Sequence, residues 1–308
     1  VRRYPVFIGL IVFLLTVSAC GGSEPDPTQV PSVPTASPTV TPVPSPSSVS
    51  TSTELPTPLP TATSEPTSSS FPSSDTSIGD GPPTAEEFYF AAVTYMNAGD
   101  NELAIELFGE SLKLDPSSSE VFNDRGAAYT ALGQLVPAEA DFVKAISIEP
   151  DDADYHTNLG LVHMYMSDFE GATADFTSAI DLDPTRIRAH FNRGMISLNA
   201  QQFDAALDDF AKVLELDPLF MEIYSYRANV FMAMGEPKSA VRELDQLIKV
   251  NPVDVDAYAN RAIALVSSGE DERAQIDFDQ AVQLGADSDQ LQLTLDRVRR
   301  GRNSPIEP

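Results

Sequence analysis

Five prolines, Pro116, Pro150, Pro184, Pro218 and Pro252, stand 34 residues apart without exception, each behind Asp, Glu or Asn. A fixed interval of this length rules out one globular core assembled from unrelated elements. It implies units that bury their apolar faces only by stacking on their neighbours. Six units begin near residues 85, 119, 153, 187, 221 and 255.

Inside the units, other columns keep the same register. The residue before each start is Thr84, Ser118, Asp152, Arg186, Phe220 or Asp254. Four of these are good N-caps, and Thr84 with Glu87 forms a capping box. Fourteen residues into each unit come Gly99, Gly133, Ser167, Gln201, Gly235 and Gly269. Glycine suits the left-handed residue that closes a helix, so each unit holds two helices joined by a tight turn. The second helices carry Ala104, Ala138, Ala172, Ala206, Ala240 and Ala274, each four residues before Phe108, Phe142, Phe176, Phe210, Leu244 or Phe278. That spacing puts a small and a large residue on one helical face. The first helices carry Ala92, Gly126, Gly160, Gly194, Ala228 and Ala262 at a second small register.

These positions resemble the tetratricopeptide repeat, a helix-turn-helix unit with the same small-residue, aromatic and proline columns. The resemblance covers residues 85–286 and implies an all-α, right-handed superhelical solenoid of six units, 85–118, 119–152, 153–186, 187–220, 221–254 and 255–286. The usual early Trp is replaced by Phe88, Phe122, His156, His190, Tyr224 and Tyr258, and the sixth unit ends in Gly285-Ala286 without proline. A C-terminal capping helix is expected over 287–301, where Leu291, Leu295 and Val298 can seal the last apolar face, followed by a disordered tail over 302–308.

Before the array lie two segments of other kinds. Arg2 and Arg3 precede an apolar run from Val6 to Val17 and the small residues Ser18-Ala19-Cys20-Gly21, the layout of an export signal over 1–19 and too short to span a bilayer. Val17 to Cys20 resembles the lipobox of bacterial lipoproteins, which implies lipidation of Cys20 and an exported, lipid-anchored location at the cell envelope. From there to residue 83 the chain is a tether of Pro, Ser and Thr, with fifteen prolines after Cys20. Such a composition is expected to stay disordered, and at ~3.1 Å per residue it reaches on the order of 190 Å when extended.

The 308-residue chain has a net charge of −27. Residues 84–286 contribute 13 Lys plus Arg against 36 Asp plus Glu, a net of −23. A surface of this sign repels phosphates, so no nucleic-acid partner is expected; protein segments with basic flanks suit it better. Cys20 is the sole cysteine, which excludes an intramolecular disulfide and a Cys-based metal site. His156 and His190 fall in the aromatic column and His163 in another packing column, and no phosphate loop, nucleophile elbow or zinc-spaced ligand set occurs. No cofactor and no enzymatic activity are expected. Arg125, Arg193, Arg227 and Arg261 precede the small residue of the first helix, and Asp141, Asp175, Asp209 and Asp277 precede the Phe of the second. They read either as an ion-pair ladder or as two independent solvated columns.

The resemblance implies a concave groove lined by the first helices through their second, fifth, ninth and twelfth positions. The candidate partner-binding residues are then Tyr89, Asn123, Thr157, Leu161, Met164, Phe191, Met195, Leu198, Ser225, Asn229 and Met232, apolar and Met-rich in the middle with an acidic rim. The ninth and twelfth positions equally allow packing between neighbouring first helices. Arg188, between Asp154 and Glu222 of adjacent units, reads as a local ion bridge. Tyr89 and Val93 stand where some family members carry the first Lys and Asn of a clamp for chaperone C-terminal carboxylates, so that role is disfavoured. The expected function is a membrane-anchored scaffold that binds partner proteins or peptides in cell-envelope assembly or maintenance. The alternative is a structural spacer that self-associates as a homo-oligomer and leaves its groove idle.

Overall fold

The computed structural model describes residues 82–303. Residues 1–81, which include Cys20 and the segments expected to form an export signal and nearly all of the tether, lie outside the described residues, as does the chain from 304 onward. The described residues form thirteen helices and no strand: α1 (Ala85–Asn97), α2 (Asn101–Leu114), α3 (Ser119–Ala131), α4 (Leu135–Ile148), α5 (Ala153–Tyr165), α6 (Phe169–Leu182), α7 (Ile187–Asn199), α8 (Phe203–Leu216), α9 (Ile223–Ala233), α10 (Pro237–Val250), α11 (Val255–Ser268), α12 (Asp271–Leu284) and α13 (Ser288–Asn303). Contacts run from each helix to the next and between successive first helices of the pairs, which is the connectivity of a solenoid.

Helix boundaries follow the cap chemistry. Thr84 Oγ1 accepts from the Glu87 amide at 3.2 Å, and Glu87 Oε2 accepts from the Thr84 amide at 2.8 Å. Ser118, Asp152 and Asp254 cap α3, α5 and α11 through their side chains. Arg186 makes no capping bond, and Phe220 cannot make one. The fifth unit accordingly opens two residues late, at Ile223. At the other end of every first helix, one residue adopts a positive φ: Gly99, Gly133, Ser167, Gln201, Gly235 and Gly269. Each turn closes with paired bonds, for example Gly99 N to Met96 O at 3.0 Å and Asp100 N to Tyr95 O at 2.9 Å, the Schellman pattern. Ser167 (φ 65°) and Gln201 (φ 58°) adopt the same conformation despite their Cβ atoms.

The small and large columns meet inside each pair. All six alanines of the second helices are fully buried, as are Phe108, Phe142, Phe176 and Phe210. A Cβ on Gly126, Gly160 or Gly194 would lie 2.9, 2.9 or 2.8 Å from the ring of Phe142, Phe176 or Phe210. The absence of a side chain there sets how closely the two helices approach. In the sixth pair Phe278 is only half-buried, because α13 packs mostly on α11 and touches α12 little.

The Arg and Asp columns pair within units. Arg125 grips Asp141 through Nε and Nη2 at 2.7 Å each, Arg193 grips Asp209 at 2.9 Å each, and Arg261 grips Asp277 at 2.7 Å each. Arg227 faces Glu243 at 3.2 Å. Asp141, Asp209 and Asp277 are buried, so these bidentate pairs are structural and not solvated columns. Two of them also bridge units, through Arg193 to Thr177 and Arg261 to Asp245. In the third unit Leu159 replaces the Arg, and His163 binds Asp175 at 2.6 Å in its place.

The ends of the array are treated chemically. Where later first helices bury Val121, Tyr155, Ala189, Ile223 and Ala257 against the preceding unit, α1 presents Glu87 to solvent. Helix α13 buries Leu291 and Leu295 and runs past the boundary drawn from composition, to Asn303. The two added residues are held by Arg302, expected above to lie in the tail. Its guanidinium donates to the carbonyl of Val266 and to Asp271 at 2.7 Å, and Arg299 joins it on Asp271 at 3.0 Å.

Candidate binding groove

The first-helix face separates into three stretches. In the first unit Tyr89, Val93 and Met96 are half-buried, and in the fifth Ser225, Asn229 and Met232 are half-buried. Between them Asn123, Thr157, Leu161, Met164, Phe191, Met195 and Leu198 are all buried. Leu161 and Met164 pack with Ala172, Phe176, Ala189 and Ile196, while Met195 and Leu198 pack with Phe191, Phe210, Ile223 and Val230. Phe191 is 2% exposed and stands edge-on to Tyr226, with ring centroids 5.2 Å apart. The central lining inferred above as a groove is thus a core between successive first helices. Large residues at the ninth and twelfth positions of two adjacent units fill the space a ligand would need. The accessible face is left mainly on α1 and α9, with Glu120 and Thr130 of α3 and Asp256 and Ile263 of α11 beside them.

Beside the closed middle lies a cleft of about 380 Å³ lined by Asp154, Thr157, Thr185, Arg186, Ile187, Arg188, Asp217 and Phe220. Arg186 forms one wall, donating to Asp154 at 2.8 Å. Arg186, from the preceding loop, thus bonds Asp154 directly, and the Arg188 charge also acts on that carboxylate. Burial lowers the Arg188 guanidinium to about 10, against the opposing charge of Asp154.

At the amino-terminal end lies a polar network that the groove positions only half reveal. Tyr89 Oη is 2.8 Å from Glu120 Oε1 and 3.0 Å from Asp124 Oδ2. Asn123 Nδ2 donates to Asp124 Oδ1 at 3.1 Å, and Asn158 Nδ2 donates to Asn123 Oδ1 at 2.8 Å. Asp124 is 2% exposed, and burial pushes its carboxyl up to about 6, the Glu120 charge adding to the effect and the bonds from Tyr89 and Asn123 opposing it. Tyr89 is raised as well, by burial first and the Asp124 charge second. Asp124 and Asn158 occupy the sixth position of their helices, and Asn192 and Asn260 follow at the same register. An Asp or Asn at this register in four of the six units, beside buried apolar columns, was the signal that would have found them.

The histidines act as hydrogen-bonding braces. His156 and His190 reach the carbonyls of Pro150 and Pro184 at 3.0 and 3.2 Å, and His190 also contacts Asp209 at 2.9 Å. Among the described residues no group of three His, Cys, Asp or Glu is arranged to hold a metal ion.

Family models of the tetratricopeptide repeat match residues 91–153 and 227–289, residues 153–186 and residues 187–220. Among solved structures, a tetratricopeptide repeat protein from Parabacteroides merdae ATCC 43184 is 19% identical, with 71% of this chain and 86% of that one covered and a TM-score of 0.58. PilW, a type IV pilus biogenesis factor, is 23% identical over 69% of this chain and all of its own, with a TM-score of 0.58. MamA protein is 18% identical over 62% of this chain and 98% of its own, with a TM-score of 0.51. At these identities the likeness is one of fold. No curated protein matches the chain to a significant degree. Helix pairing, turn geometry and the matched family models agree: the chain belongs to the tetratricopeptide-repeat family.

Proposed function

We propose that this chain is a non-catalytic scaffold, exported and held at the bacterial cell envelope by a lipid on Cys20, whose first-helix face takes hold of partner proteins in envelope assembly or maintenance. The observation that supports this reading most directly is the uneven closure of that face. Its middle is packed as core, while two strips remain open, each with an adaptable methionine, Met96 at one end and Met232 at the other. Such strips bind by burial of apolar surface, and the acidic rim residues Glu86, Glu120, Glu222 and Asp256, all exposed, select for partners of opposite sign. The tether composition gives the array room to meet a partner away from the anchor.

A photoreactive residue placed at Met96 or Met232 tests the face. The expected result is one recurrent adduct from these positions and none from Asp208, exposed on α8 of the outer layer. Equal labelling from all three would overturn the groove reading. The anchor is tested separately by Cys20→Ser, which should move the protein from the membrane to the soluble fraction. Unchanged fractionation removes the lipid from the account.

A further inference from the structure

We propose that copies of this chain join end to end, the exposed front face of α1 in one copy seated on the exposed back face of α13 in the next. The residues involved are not those of the Met96 and Met232 strips, so the joint stands apart from whatever those strips bind.

The pattern of the joint is set inside the array. Counted from the start of each unit, the fifth, ninth and twelfth residues of one first helix form a back face that packs on the third, sixth and tenth residues of the next. Phe191, Met195 and Leu198 thus share a core with Ile223 and Val230, and Phe191 meets Tyr226 with ring centroids 5.2 Å apart. Leu161 and Met164 share another with Ala189 and Ile196, and Tyr89 bonds Asp124 at 3.0 Å. Helix α13 keeps the count as a further first helix. Its third residue, Leu291, follows Ala257 by 34 and is buried, and its tenth, Val298, packs into the core that holds Ala259 and Val266.

Each end of the array is left with one half of such a junction. On α1 the third, sixth and tenth residues are Glu87, Phe90 and Thr94, all exposed, although the third and tenth are buried in every later unit. On α13 the fifth, ninth and twelfth are Leu293, Arg297 and Arg300, again all exposed. Phe90 is 53% exposed and Leu293 51%, large apolar side chains at the two registers through which Tyr226 and Phe191 meet. Charge decides which ends can pair. Residues 84–118 carry seven Asp plus Glu against one Lys, with Glu86 and Glu87 one turn before Phe90. Helix α13 carries four Arg against two Asp, with Arg297 one turn after Leu293. Two front faces therefore repel, as do two back faces, while a front and a back attract. An arginine beside the Phe90 ring adds a cation–π contact. The resulting joint is heterologous, so it builds rings or open chains and not a two-fold dimer. One helix seated on one helix lies at the low end of interface sizes, below about 1,200 Å², so joining is weak and grows with concentration.

Sedimentation velocity of the full chain at rising concentration reads the association. It should strengthen with concentration, weaken by about 10-fold or more in Arg297→Glu or Glu86→Arg, and recover when both reversals stand in one chain. Glu86 serves here because Glu87 caps α1. Lys238→Glu and Asp208→Arg, exposed on α10 and α8, make the same changes of charge and should alter association by less than about 2-fold. The contact itself is read by a short bis-maleimide on two forms of the full chain, both with Cys20→Ser, one with Phe90→Cys and the other with Leu293→Cys. Their mixture should give a covalent pair that neither form gives alone. A monomer at every concentration overturns the joint, as do control reversals that act as strongly as Arg297→Glu and Glu86→Arg. Either form linking to itself as readily as in the mixture would mean a two-fold dimer and refute head-to-tail joining. Association without a link in the mixture puts the contact elsewhere and refutes it too.

Discussion

Gly194→Ala separates packing from helix propensity with one methyl group. Alanine is the better helix former by about 0.8–1.0 kcal/mol, so propensity alone predicts a gain in stability. The structure predicts the reverse: the new Cβ would lie 2.8 Å from Cε1 and 3.0 Å from Cδ1 of the fully buried Phe210, and 3.2 Å from Cβ of Asp209. None of these is the end of a flexible side chain, so α7 and α8 must move apart, an overpacking penalty of about 1–3 kcal/mol. The net expectation is a loss of about 0–2 kcal/mol. Gly109 supplies the control, since a Cβ there meets only Arg125 Nη1 at 4.0 Å. Gly109→Ala should therefore gain close to the full propensity term of about 1 kcal/mol. The assay is urea unfolding of both variants beside the native chain, with melting temperatures moving by about 2–4 °C per kcal/mol at this size. A second cycle adds Phe210→Leu, copying the fifth unit, where Ala228 shares its pair with Leu244. The shorter side chain should recover part of the Gly194→Ala loss, a coupling that only direct contact produces. If Gly194→Ala stabilises as much as Gly109→Ala does, the register of small and large columns is wrong.

The remaining expectations concern turns, a buried acid and the end of the array. Ser167→Gly and Gln201→Gly relieve left-handed strain of about 1–2 kcal/mol against a glycine entropy term of about 0.5–1, so each should raise thermal stability slightly; a fall in either melt contradicts the turn geometry. Asp124 binds its proton more tightly when folded, at about 6, than its reference value of 3.8, so its burial penalty is present above pH 6 and fades as pH falls towards 4. The stability difference between Asp124→Asn and the native chain should thus shrink by about 2–3 kcal/mol between pH 7.5 and 4 in urea titrations, and a flat difference refutes the assignment. Arg302→Ala removes the bonds to Val266 and Asp271. It should loosen α13 by about 1 kcal/mol and raise hydrogen exchange there before anywhere else in the array.

How much of this was legible beforehand depended on whether a feature is local. The caps, the left-handed residues and the Ala and Phe columns follow from backbone sterics and helical spacing within one unit, and they carry the fold. The i, i+16 ion pairs cross a turn, so composition left them undecided between a ladder and two solvated columns. Only the buried position of Asp141, Asp209 and Asp277 decides it. The groove was harder still, because exposure at a given position is set by the neighbouring units. Asn229 and Asn123 differ in kind only through their surroundings: the first lies half-buried on α9, the second is walled in by Asp124 and Asn158. Leu161, Met164, Phe191, Met195 and Leu198 looked like a lining because of their register, yet five large residues on two adjacent helices cannot leave a channel between them. The same crowding that closes the middle leaves the ends as the places where a partner can meet the first helices.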